Sequence, residues 1–170
     1  MMIHRIGTAL LGLSIALVPV CQGQAKREPS TPAERQQMLE LVHAWQADPL
    51  GPQAKDEFGQ VLKWFSEVPD LTVNVCTILE KLPKGDKKDA ATVFGGQFMA
   101  QAAFVLENAG KEQDKAGEYL AGIEGALRTY EWLVKKNAKD QQAYLDDLIQ
   151  RRNSGTLVQF VRERAATECK

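Results

Sequence analysis

The chain is 170 residues long, with 21 basic against 22 acidic side chains, a net charge of −1 and 44% hydrophobic residues. That length suffices for one domain with a proper core. The charge balance excludes the basic face that nucleic acid requires and the polybasic run that draws a protein to an anionic membrane.

Residues 1–5 give a short basic start, 6–20 a weakly polar-to-apolar run, and 21–25 a small, polar exit with Ala25 at a cleavage edge. This order predicts a secretory signal peptide over 1–25, its apolar core too short for a comfortable membrane span. Cys21 raises lipoprotein anchoring as an alternative. Its processing site wants a small residue just before the cysteine, and Val20 stands there after Pro19, so cleavage is favoured. Residues 26–170 are then expected to form a single all-α domain, exported to the periplasm or beyond, with no stable membrane span. Loss of Arg5 leaves 20 basic residues against 22 acidic ones. Of the cysteines, only Cys76 and Cys169 remain, and an oxidising compartment would pair them.

After an exposed lead-in over 26–30, Thr31-Pro32-Ala33-Glu34 announces a helix: threonine at the N-cap, proline in the first turn, glutamate closing a capping box. Met38, Leu41, Val42 and Trp45 give its buried stripe, and the run 48–52, with Pro49, Gly51 and Pro52, ends it. A second helix is expected from 52 to 67, with Phe58, Val61, Leu62 and Phe65 inward, broken at 68–70. Residues 71–82 are ambiguous. Residues 72–75 alternate and are β-branched like a strand. Leu71, Val75, Ile78, Leu79 and Leu82 fit helical spacing, and Asp70 is a good N-cap, so helix is the expectation. Residues 83–88 read as a solvated loop, and Asp89 as the cap of the next helix.

That next helix organises the chain. Residues 90–106 carry no charge, and helical projection leaves them no broad polar face, as befits a helix surrounded by others. Gln97 and Gln101 fall inside its aromatic sector rather than toward water. Gly95 and Gly96 each cost roughly 1 kcal/mol against alanine, which a closely approaching neighbour would offset. After a stop at 108–110, a long helix is expected over 112–136, with Ala116, Leu120, Ile123, Leu127, Tyr130 and Val134 as its core seam. Off that seam run Gly117, Ala121 and Gly125, with Trp132 near the lower end, forming either a second packing face or an accessible groove. Asp140 is placed to cap a helix bearing Tyr144, Leu145, Leu148 and Ile149, which 153–155 closes. Leu157, Phe160, Val161 and Ala165 mark a last short helix. The fold expected is all-α, six to seven helices packed around the central helix 90–106, as a helical bundle or short α-α array.

Ala126-Leu127, Tyr130, Leu133 and then Ala143-Tyr144 resemble part of a tetratricopeptide unit over two helices. Ala138 occupies the place of that unit's turn proline and no second copy follows at a fixed period. An ordinary helical hairpin is therefore the reading retained.

No residue constellation identifies catalysis, a cofactor or a metal. His43 is the one histidine of 26–170, so the Glu40–His43 pair cannot complete a di-iron bundle site or a multi-histidine zinc site. It reads as a partly buried helix residue. Ser30, Ser66 and Ser154 lie at helix ends, where capping explains them. A Cys76 thiolate activated by His43 competes with the Cys76–Cys169 bridge. Asp56-Glu57 and Asp146-Asp147 are sequence neighbours and do not face each other across a cleft. The function expected is an exported helical binding or scaffolding protein without catalytic activity, its partner a protein or peptide. The alternatives are an envelope-associated hydrolase, for example glycan-cleaving, using dispersed carboxylates, and a purely structural envelope protein. A cleft holding two acids with perturbed pKa values favours the hydrolase. A concave apolar patch favours the binder.

Overall fold

The computed structural model describes residues 27–76, 78, 87–111 and 113–169. The expected signal peptide and most of the 77–86 stretch lie outside them. Among the described residues the chain forms six α-helices and no strand: α1 (Pro32–Ala47), α2 (Ala54–Glu67), α3 (Lys87–Glu107), α4 (Lys115–Lys136), α5 (Ala143–Asn153) and α6 (Leu157–Glu168). A 3-10 turn, Ala138–Asp140, precedes α5. No helix among the described residues is long and apolar enough to cross a membrane.

The capping box at α1 is complete: Glu34 N–H donates to Thr31 Oγ1 at 3.2 Å and Thr31 N–H donates back to Glu34 Oε2 at 2.7 Å. Four orphan amides open every helix, and here two donors find partners within one turn. Gly110 and Gly155 carry positive φ (82° and 76°) just beyond α3 and α5, the left-handed stop that glycine accepts without strain.

α3 is the axis of the molecule. On one side it packs α1 and α2, whose Val42, Trp45, Val61 and Trp64 share a core with Met99, Ala102 and Leu106 of α3. On the other lies α4, and beyond it α5 and α6, joined in a second core of Ile123, Leu127, Tyr130, Leu145, Leu148 and Val161. α3 and α4 run antiparallel. A Cβ built at Gly96 would meet Thr129, one at Gly125 would meet Ala100, one at Gly122 would meet Gln101, and one at Gly117 would meet Phe104. The face of α4 turned to α3 is thus Glu118, Gly122, Gly125 and Thr129, all buried. Ile123, Leu127 and Tyr130 of the expected seam are buried, whereas Ala116, Leu120 and Val134 are half-buried.

Several expectations are corrected. Residues 71–76 are irregular backbone, neither helix nor strand, and Val75 is 63% exposed. Backbone groups of Asn74 and Cys76 are taken by side chains of α3 and α4 instead of by a local ladder. Asp70 caps no helix there; its carboxylate accepts from Ser30 N–H and Ser30 Oγ, both at 2.8 Å, and so ties the lead-in of α1 to the end of α2. α3 begins at Lys87, so Asp89 lies inside it, and Phe94 is exposed on it. In α2 Val61 is buried as expected, but Leu62 is 46% exposed and Trp64 is buried in its place, with the Arg27 guanidinium over the Trp64 ring. α5 begins at Ala143 behind Gln142, not behind Asp140.

Cys76 and Cys169 are joined as a disulfide, their Cα atoms 5.2 Å apart across a sequence separation of 93. The bridge pins the irregular segment to the end of α6.

Candidate functional site

Two of the concavities among the described residues differ sharply in chemistry. The first, about 370 Å³, opens between residues 70–72, the end of α3 and the start of α4, and carries Asp70, Asp114, Glu118 and Lys111. Glu118 is 1% exposed. Asn74 N–H donates to its Oε1 at 2.5 Å and Asn74 Nδ2 to its Oε2 at 2.9 Å. Gln101 Nε2 then donates to the Asn74 carbonyl at 2.5 Å, and Gln97 Nε2 to the Cys76 carbonyl at 3.4 Å. The two glutamines that the sequence places inside α3's apolar sector, and one glutamate from α4, therefore hold 74–76 in place of a strand partner. Gly122 makes room for this: a Cβ there would lie 2.7 Å from Gln101 Cγ.

Burial raises the Glu118 pKa, outweighing the two Asn74 hydrogen bonds and the Lys115 charge. Asp70 goes the other way. Burial raises it, but the Ser30 hydrogen bonds, its own backbone N–H and the Arg35 charge together leave its carboxyl lowered. Opposed shifts on one pocket are what acid–base chemistry uses. Here, however, each carboxylate is committed to backbone: Asp70 to Ser30, Glu118 to Asn74, and Asp114 to the α4 N-terminus, where it accepts from Gly117 N–H at 2.9 Å. Lys111 Nζ donates to Asn108 Oδ1 at 3.1 Å.

The second concavity is about 750 Å³ and apolar. Trp45 closes α1, Pro49, Leu50 and Gly51 form the turn after it, and Ala54 and Phe58 open α2. Ala91 and Gly95 supply the α3 wall, and Leu133 the α4 wall. Gly95 lets the Trp45 ring approach α3 closely, since a Cβ there would stand 3.2 Å from Trp45 Cζ2. Lys55 and Lys136 flank the cleft and form no ion pair with any of the described residues. Asp48, whose carboxylate folds over Gly51, pairs with neither.

The small-residue line of α4 is not brought together as one groove. Gly117 packs beside Asp114 and Phe104, and a Cβ there would stand 2.8 Å from Phe104 Cζ. Ala121 is half-buried, and Gly125 is buried against α3. Gly125 and the 39%-exposed Trp132 share a crevice of only about 20 Å³, room for about one water. Trp132 also borders a shallow depression with Arg128, Glu131 and Lys135.

His43 is exposed, not partly buried, with Nε2 3.7 Å from Glu107 Oε1, while Glu40 accepts from Gln36. Cys76, bonded to Cys169, is no free nucleophile. Ser66 and Ser154 donate to the carbonyls of Lys63 and Arg151. Among the described residues no group of three or more His, Cys, Asp or Glu stands together to hold a metal. Asp146 accepts from the Tyr130 hydroxyl at 2.7 Å, and Asp147 pairs with Arg151 at 2.8 Å. Both acids are thereby engaged on the α5 surface.

The cleft escaped sequence reading because its walls come from four helices and a turn. Its residues read there as core stripe or loop. No family model, no curated protein and no solved structure matches this chain.

Proposed function

We propose that the protein is an exported, non-catalytic binding protein that receives an apolar ligand, or the apolar side chains of a protein or peptide, in the Trp45–Phe58–Leu133 cleft. The carrying observation is the cleft itself: concave, about 750 Å³, lined by aromatic and aliphatic side chains, with few polar groups at its edge. Binding sites for single small molecules have this character, at about 300–1,000 Å³. The n-to-c order of residues 1–25 supports export, as does the Cys76–Cys169 pair, which suits an oxidising compartment. Titration with the neutral fluorophore N-phenyl-1-naphthylamine tests the reading. Saturable fluorescence enhancement at one site is expected, and Ala91→Trp, an exposed α3 position on the cleft wall, should abolish it while leaving helix content intact. No saturable binding, or binding indifferent to Ala91→Trp, would remove the cleft as the site.

A hydrolase using dispersed carboxylates is the second reading, favoured by one observation: Asp70 and Glu118 line one pocket with opposed pKa shifts. Their engagement with Ser30 and Asn74 leaves neither carboxylate free for a substrate proton, and the binding reading is preferred.

A further inference from the structure

We infer that the cleft selects a single-chain amphiphile with a carboxylate head, a free long-chain fatty acid, an inference that rests on the binding reading above. The chemistry of the walls divides cleanly. Trp45, Leu50, Phe58 and Leu133 offer an apolar body its counterpart, and among the described residues the charged side chains lining the cleft are Lys55 and Lys136. Both are cations, they come from different helices, and neither is neutralised by a carboxylate of the described residues. Asp48 is the one carboxylate of the described residues at the adjoining turn; it folds over Gly51 and pairs with neither lysine, so both cations face the apolar hollow without a partner, in a chain whose overall charge is slightly negative. Low-dielectric walls focus the field of two such cations toward an incoming anion.

An alkyl chain with an anionic end satisfies both parts at once, its tail against Trp45 and Phe58 and its head reaching the lysines. A neutral alcohol of the same length meets only the apolar half, and an alkylammonium is repelled. The volume, about 750 Å³, suits one chain rather than a two-chain lipid, being within the range that holds a single drug-sized molecule. Lysine is suited to this role: its ammonium ends a flexible stem and follows a head group of variable position better than a fixed guanidinium fork.

Displacement of N-phenyl-1-naphthylamine by dodecanoate, dodecan-1-ol and dodecyltrimethylammonium, each below its micellar concentration, tests the inference. Dodecanoate should displace the fluorophore at about tenfold lower concentration than dodecanol, the scale of two exposed charge contacts. That advantage should shrink in high salt. It should disappear in Lys55→Gln/Lys136→Gln, two exposed positions, while fluorophore binding persists. Equal displacement by dodecanoate and dodecanol, or a preference that survives the double substitution, would overturn the carboxylate inference and leave the cleft standing. Failure of the neutral fluorophore to bind at all would overturn the cleft and this inference with it.

Discussion

Gly125→Ala puts a single methyl group where α3 and α4 come closest. A Cβ at this position would lie 2.5 Å from the Gly96 carbonyl oxygen and 3.3 Å from its carbonyl carbon, and closer still to Ala100 Cβ. None of these is the far end of a flexible side chain, so the helices themselves must separate. Intrinsic helix propensity works in the opposite direction, since alanine improves on glycine by about 1 kcal/mol. Overpacking a closed contact costs about 1–3 kcal/mol, and a backbone obstacle belongs at the upper end. The expected net effect is a destabilisation of about 1–2 kcal/mol. Gly59→Ala calibrates the argument within the same molecule. Gly59 lies inside α2 with nothing within 4 Å of its Cβ position, so only propensity acts and the change should stabilise by up to about 1 kcal/mol. Urea titrations under oxidising conditions measure both, with unchanged m-values confirming that the folded and unfolded ensembles are comparable. Gly125→Ala at or above the stability of the parent would refute the close α3–α4 contact, whatever Gly59→Ala does.

Reduction of Cys76–Cys169, or Cys76→Ala with Cys169→Ala, should lower stability by about 4–5 kcal/mol on the chain-entropy view for a loop of this separation, 93 residues; titration with and without reductant showing less than about 1 kcal/mol would count against it. Glu118 has its pKa raised above the ordinary 4.5, so the folded chain keeps that proton to higher pH than the unfolded chain does. Its contribution is present below 4.5 and lost as pH rises through the raised value, and Glu118→Gln should remove that slope from stability measured against pH. Asp70, lowered from 3.8, contributes the reverse: stability present above 3.8 and lost as pH falls through the lowered value, a slope that Asp70→Asn should flatten. Tyr130→Phe removes the hydroxyl that accepts from Gln142 N–H and donates to Asp146, both at 2.7 Å, and should cost about 1–3 kcal/mol by thermal or urea melting. A neutral result there would show that water replaces the hydroxyl.

What the sequence made legible was local or periodic. The α1 start needed only four consecutive residues, and α3 announced its central place through the uncharged run 90–106. The glycines at 95 and 96 pointed to close approach, and the structure supplies the two partners: Trp45 for Gly95, and Thr129 with Gly125 for Gly96. The phase of the α2 stripe was harder. Phe58, Val61, Leu62 and Phe65 have the right spacing, yet the stripe is rotated so that Trp64 is covered and Leu62 faces out. Periodicity fixes a period, and which edge of the stripe is covered depends on what packs over it, here with the Arg27 guanidinium over the Trp64 ring.

The segment 71–76 shows why the remainder was out of reach. Its spacing allowed helix and its composition allowed strand, and both readings assume that its backbone groups must be satisfied by backbone. At Asn74 they are instead satisfied by Glu118, 44 positions away, and by Gln101, 27 positions away. That solution exists only once α3 and α4 are packed, because Gly122 must first let Gln101 lie against α4. A buried glutamate at the α3–α4 contact would be costly left alone, and the irregular segment is what supplies its donors. The polarity of Gln97, Gln101 and Glu118 in an otherwise apolar interface is therefore explained by the segment they hold. The same argument assigns the polar pocket, at the Phe104–Asn108 end of α3, to the fold, and leaves the apolar cleft, at the Ala91–Gly95 end, as a concavity that holds no such network.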